Sequence, residues 1–139
     1  MTNLKQNPNA AHEEVMYEQT EWPGDDIPFS DLHFISNRYH RALKLCLEKD
    51  VLEIGVGSSI GKAEMNNLAK SYSGIDLSSK NIKRVSEYCS NLELSFFQAN
   101  AEDMPFEDDS FDTVIALAMV YYLDTKTFLK EVKRVLRPG

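Results

Sequence analysis

Compact apolar runs alternate with spaced apolar stripes along this chain, and the alternation predicts strands and helices in turn. The stripes advance by three and four residues: Leu32, Ile35, Tyr39, Leu43 and Cys46; then Ile82, Val85 and Cys89; then Phe128, Leu129, Val132, Val135 and Leu136. Such spacing collects each set on one helix face. Ser30, Ser78 and Asp124 stand just ahead of the stripes as N-caps, which predicts helices over about 30–47, from 78 to about 89, and from 124 to the end of the last stripe. Lys130, Lys133 and Arg134 fall on the outer side of that last helix. A shorter helix is expected over 60–69. The compact runs, Val51 to Ile54, Tyr72 to Asp76, Leu94 to Gln98 and Phe111 to Leu117, read as buried strands. Glu107-Asp108-Asp109 is a solvated turn ahead of the fourth. Strand and helix alternate throughout, so an α/β fold is expected, with a mostly parallel sheet, right-handed crossovers and helices on both faces.

The pattern is absent from the first part of the chain. Met1 to about Glu21 is polar with few anchors, and Trp22-Pro23-Gly24-Asp25-Asp26-Ile27-Pro28-Phe29 is a loop carrying three large apolar side chains. Either those side chains pin a linker to the core, or the loop forms a lid over a pocket. Residues 1–29 are thus a leader, and 30–139 the folded core.

Composition narrows the class. At 139 residues, with 42% hydrophobic and 27% charged residues, the chain suits one globular domain with one core. No apolar run reaches membrane-spanning length, and a cytoplasmic location is expected. The formal net charge of −7 opposes a phosphate backbone, so nucleic acid is not expected as a partner. Cys46 and Cys89 lie on helix stripes without metal-ligand spacing, which makes them packing residues and predicts no metal site.

The candidate chemistry gathers at the end of the first strand, Asp50-Val51-Leu52-Glu53-Ile54-Gly55-Val56-Gly57. Gly55 and Gly57 permit a sharp turn and close approach of a ligand to the backbone, and Ser58 or Ser59 could cap the helix that follows. The spacing differs from the dinucleotide pattern G-x-G-x-x-G, because Ile60 stands where the third glycine belongs. Glu53 would repel a pyrophosphate but could hold an amino group, directly or through water. Asp76 ends the second strand at about the 20-residue offset where an acid takes ribose hydroxyls. The pocket therefore reads as one for a ribose joined to a zwitterion.

These segments, with Gly74-Ile75-Asp76-Leu77-Ser78, Asn100-Ala101-Glu102-Asp103-Met104-Pro105-Phe106, Asp109-Ser110-Phe111-Asp112 and Phe128 to Gly139, resemble the class I S-adenosylmethionine-dependent methyltransferases of the methyltransferase type 11 kind. The resemblance implies a Rossmann-like fold with S-adenosyl-L-methionine as cofactor. It also implies that Glu53, Gly55 and Gly57 hold the methionine end, that Asp76 and Leu77 flank the ribose, and that Asn100, Ala101 and Glu102 read the adenine edge. An aspartate is commoner in the family at Asn100, and an Asn oxygen accepts the same bond from an adenine amino group. Ser59 stands at the family's third glycine. Relatives continue past Leu136-Arg137-Pro138-Gly139 into further strands, so the sheet is expected to be C-terminally incomplete, with an open edge available for self-association.

The implied activity is methyl transfer to a small-molecule acceptor, which needs alignment and exclusion of water more than acid–base chemistry. Tyr121, Tyr122, His33, Arg38, Tyr39 and His40 could serve a base, but each has an ordinary packing or surface explanation, and no catalytic residue is assigned. Two other readings stay open. One is a silent S-adenosylmethionine-binding or interaction module. The other is a nicotinamide-dependent oxidoreductase, opposed by the glycine spacing, by Glu53 and by the lack of a Tyr-x-x-x-Lys pair within a predicted helix.

Overall fold

The computed structural model describes residues 28–57, 60–117 and 119–139, Leu32 by its backbone alone. The leader's loop through Ile27 and the capping candidates Ser58 and Ser59 lie outside these residues. Five-residue β1 (Asp50–Ile54) is fully buried. It pairs on one side with β2 (Ser71–Asp76) and on the other with β4 (Thr113–Ala116), while β2 also pairs with β3 (Ser95–Gln98). The order is β3-β2-β1-β4 with every pairing parallel, as strand–helix alternation predicts for the pairing and as the family resemblance implies for the Rossmann-like arrangement. Parallel neighbours demand crossovers, and α2 (Lys62–Leu68) and α3 (Ser79–Tyr88) supply the first two. α1 (Phe29–Leu43) precedes the sheet and α4 (Thr125–Val135) follows it.

The two faces of β1 sort the helices. Leu52 and Ile54 pack with Phe111, Phe128 and Val135 toward α4. Val51 turns the other way, toward Ala42, Cys46, Met65 and Tyr72 on the α1 and α2 side. α3 closes that same face through Val85 and Cys89 against Val56. Both cysteines are buried free thiols, and burial, with the Glu53 charge nearby, pushes the Cys46 thiol up to about 11. Such a thiol is inert packing.

Two expected caps are present: Ser78 accepts the Asn81 N–H at 3.2 Å and Asp124 that of Thr127 at 2.8 Å. Others differ. α1 starts at Phe29 behind Pro28, and the Ser30 hydroxyl bonds to Asp31 instead of capping. The helix also stops at Leu43, with residues 44–48 in turns. Phe111 is not part of β4 but bridges to Leu136. Leu129 was expected on the buried stripe of α4, yet it is 56% exposed. Phe128, Val132 and Val135, at steps of four and three, already fill the core-facing line, and Leu129 is rotated past it. Arg134, expected outside, is half-buried, because its guanidinium reaches back to the carbonyls of Met104 and Phe106 at 3.0 and 2.6 Å.

Candidate cofactor site

Parallel strands present their C-terminal ends on one edge, and the loops leaving that edge are where ligands bind in open α/β sheets. β1 ends in a turn with Gly55 at φ 72° and Gly57 at φ 45°, both in the left-handed region that favours glycine. Gly55 and Val56 donate to the Ile75 carbonyl at 2.8 and 3.1 Å, and Gly57 donates to Asp76 Oδ2 at 3.2 Å. The turn is thus sewn to the end of β2. Met119, beyond β4, lies over Gly55 so closely that a Cβ there would stand 3.0 Å from Met119 Cγ.

Asp76 is the hinge of this edge. Besides Gly57, its carboxylate accepts the Ser78 N–H at 2.9 Å and meets the Asn81 amide at 3.4 and 3.5 Å. Burial raises its pKa above the usual carboxylate value, opposed by the N–H groups of Ser78 and Gly57. The Gly57 and Ser78 bonds fix this carboxylate in place, while the Asn81 contacts stand at the outer limit of hydrogen-bond distance and are the ones a ligand hydroxyl would replace. Leu77, beside it, exposes 46% of its surface.

The loop after β3 supplies the third side. Asn100 Oδ1 accepts the Glu102 N–H at 2.9 Å, an Asx turn that orients the loop. Ala101 is buried. Glu102 Oε1 accepts the Asp124 N–H at 2.7 Å, so this carboxylate ties the loop to the start of α4. Glu131 accepts the Met104 N–H at 2.9 Å, and Arg134 bonds to Glu131 at 2.8 Å. The loop is therefore held from below by α4.

Glu53 is placed differently from the rest. It is 2% exposed and sits under the turn, on the α1 and α2 face of β1. Lys62 Nζ lies 2.9 Å from each of its oxygens, Tyr72 donates to Oε2 at 2.7 Å, and the Tyr39 hydroxyl donates to Oε1. Lys62, 0% exposed, also donates to the Tyr39 hydroxyl and lies 3.4 Å from the Val56 carbonyl. Burial first, then the Glu53 charge, holds the phenols of Tyr39 and Tyr72 well above the usual tyrosine value, so both stay protonated donors. Sequence reasoning missed Lys62 altogether, and it weighed Tyr39 as a stripe residue or a base, not as a partner of Glu53.

Glu53 thus lies beneath the turn, bonded to Lys62, Tyr39 and Tyr72, while Gly55, Gly57, Asp76, Leu77, Asn100, Ala101 and Glu102 belong to the upper edge. Of the residues considered for a base, Tyr121 and Tyr122 are 71% and 43% exposed beyond β4, Tyr39 is buried with Glu53, and His33, Arg38 and His40 are exposed on α1. Among the described residues no cluster of three His, Cys, Asp or Glu could hold a metal ion, and no helix is long and apolar enough to cross a membrane.

A parallel sheet of this order, with an acid at the end of β2 facing a glycine turn, places the chain among open α/β proteins of Rossmann-like topology. The family whose profile is described as a methyltransferase domain matches residues 52–139, and the chain belongs to that family. It is 41% identical over 108 residues to the probable phthiotriol/phenolphthiotriol dimycocerosates methyltransferase 2 of Mycobacterium ulcerans, covering 74% of this chain and 42% of that protein. It is 37% identical over 94 residues to the fatty-acid O-methyltransferase of Mycolicibacterium smegmatis, covering 66% and 34%. Among solved structures it resembles the YcgJ protein of Bacillus subtilis, with a TM-score of 0.64 and 26% identity over 76% of this chain and 46% of that one. A SAM-dependent methyltransferase from Aquifex aeolicus shares the fold at a TM-score of 0.65 and 15% identity, over 81% of this chain and 69% of that one. The chain spans about two fifths of the length of the curated relatives that it matches most fully.

Proposed function

We propose that residues 30–139 form the cofactor-binding core of an enzyme that transfers a methyl group from S-adenosyl-L-methionine to a small, lipid-like acceptor. The observation that carries this reading is the Gly57 N–H to Asp76 Oδ2 bond of 3.2 Å. It joins a glycine turn, open to a ligand's backbone approach, to a buried carboxylate whose remaining contacts, from Asn81, are long enough for a ligand hydroxyl to replace. That donor set fits the nucleoside: Asp76 takes the ribose hydroxyls, Leu77 lies along the base, and the Asn100-Ala101-Glu102 loop meets its edge. Gly55 and Gly57 admit the amino acid end, with Glu53 buried beneath the turn.

The cofactor supplies an electrophilic methyl bound to sulfur, with a neutral thioether as leaving group. What the chain contributes is alignment and a dry floor. Relatives named for phthiotriol dimycocerosates and for fatty-acid O-methylation support an apolar acceptor methylated at oxygen. The buried free thiols support a reducing, cytoplasmic setting. β4 pairs only with β1 among the described residues, which supports self-association through its other edge.

Calorimetric titration with S-adenosylmethionine and S-adenosylhomocysteine tests the reading, with Asp76→Ala alongside and its thermal unfolding recorded. Saturable binding weakened tenfold or more by Asp76→Ala, about 1.4 kcal/mol, is the expected result. A folded chain that binds neither ligand overturns it. Binding without transfer to any lipid acceptor would leave a binding module.

A further inference from the structure

The buried quartet beneath the glycine turn has no part in the site's upper edge, and its stoichiometry is unusual. A carboxylate offers about four acceptor positions. In Glu53 all four are filled from within the chain, two by Lys62 and one each by Tyr39 and Tyr72. Lys62 in turn has no exposed surface, and its three N–H donors are shared among the two Glu53 oxygens, the Tyr39 hydroxyl and, at 3.4 Å, the Val56 carbonyl. A carboxylate at the mouth of β1 would otherwise attract the ammonium of an amino acid ligand. Here a lysine ammonium from the first residue of α2 already occupies that position.

We infer that Lys62 is an internal counter-cation that withdraws Glu53 from ligand recognition, making Lys62 a specificity-determining residue of the cofactor site. This rests on the S-adenosylmethionine reading and deepens it. The ligand's amino acid end is then selected by the Gly55-Val56-Gly57 backbone, which is held by its own N–H bonds to Ile75 and Asp76, the buried pair adding only the 3.4 Å contact from Lys62 to the Val56 carbonyl. Exchanging the pair for neutral groups removes no contact with the ligand's ammonium. Removing Lys62 alone frees a carboxylate at the spot where that ammonium would lie, and the site gains a preference it did not have.

The test compares S-adenosylhomocysteine with its analogue carrying hydrogen in place of the α-amino group, by calorimetric titration of the full chain. The charge-neutral double variant Glu53→Gln/Lys62→Met should show the same preference between the two ligands as wild type, within about threefold. Lys62→Met alone should raise the preference for the amino-bearing ligand tenfold or more. Wild type preferring that ligand tenfold more than the double variant does would overturn the inference, since Glu53 would then be reading the ammonium. So would a folded Lys62→Met that keeps the wild-type preference. Because the double variant leaves no unpaired buried charge, the first comparison decides the matter even if Lys62→Met does not fold. Wild type binding neither ligand would instead overturn the cofactor reading, and this inference with it.

Discussion

Gly61 carries more constraint than Gly55 of the turn. Its φ of 78° is left-handed, and a Cβ there would run into the Tyr39 ring. Gly61→Ala is expected to lower the unfolding temperature more than Gly55→Ala, where the opposing atom is the flexible Met119 side chain. Left-handed backbone alone costs a non-glycine residue about 1–2 kcal/mol, and displacement of a buried ring that also bonds to Glu53 adds to it. Thermal unfolding of the two variants checks the ranking. The Glu53–Lys62 pair makes the other residue-level prediction: Lys62→Met should cost about 3–5 kcal/mol by leaving a buried charge unpaired, with much of the loss restored in the double variant. Lys62 was illegible in the sequence because a lysine beside a glycine and alanine reads as solvated. Its partner lies nine residues back on a different element, and nothing in local spacing reports that approach.

At the scale of elements, the caps that could be read were those where a capping residue and an apolar stripe agreed, as at Ser78 and Asp124. Ser30 failed because Pro28 already sets an extended φ and ψ at the entry to α1, so the helix starts before the serine. Asp124 does two jobs, capping α4 with its side chain and donating its own N–H to Glu102. Asp124→Ala should therefore cost about 1 kcal/mol from the lost cap, measurable by urea unfolding. Glu102→Ala should loosen the Asn100–Glu102 loop instead, seen as faster amide exchange there. Periodicity placed Arg134 outside α4, and by angle it is outside. Its length lets it fold back to carbonyls thirty residues upstream, a reach that stripe counting ignores.

Across the whole molecule, charge collects at the end of the sheet away from the site. Asp50, the first residue of β1, bonds to Ser71 Oγ at 2.7 Å, Lys70 at 3.0 Å and Arg137 at 2.9 Å, and Asp112 accepts the Asp50 N–H at 2.9 Å. The Ser71 hydroxyl and then Lys70 hold the Asp50 carboxyl down to about 2, and Arg134 holds Glu131 down to about 2. A carboxylate with a lowered folded pKa gives its stability in full above its unfolded value, near 4, and loses it as pH falls toward the folded value. Stability should therefore fall between about pH 4.5 and 2, and Asp50→Asn should flatten that fall while lowering stability at neutral pH, as followed by urea midpoints across pH. The parallel sheet was legible because strand–helix alternation calls for crossovers between parallel strands. This charge network was not, since it joins residues as far apart in sequence as Asp50 and Arg137.

β1 is then a short rod with two different attachments. At about 3.3 Å per residue, its five residues place Asp50 and the glycine turn roughly 16 Å apart, beyond the range at which separate perturbations usually interact. Protons act on one end, and the proposed ligand on the other. Damage to the charged end should thus add to damage at the turn without amplifying it, so that a chain weakened at Asp50 still tells adenosine ligands apart as the intact chain does, only at a lower temperature.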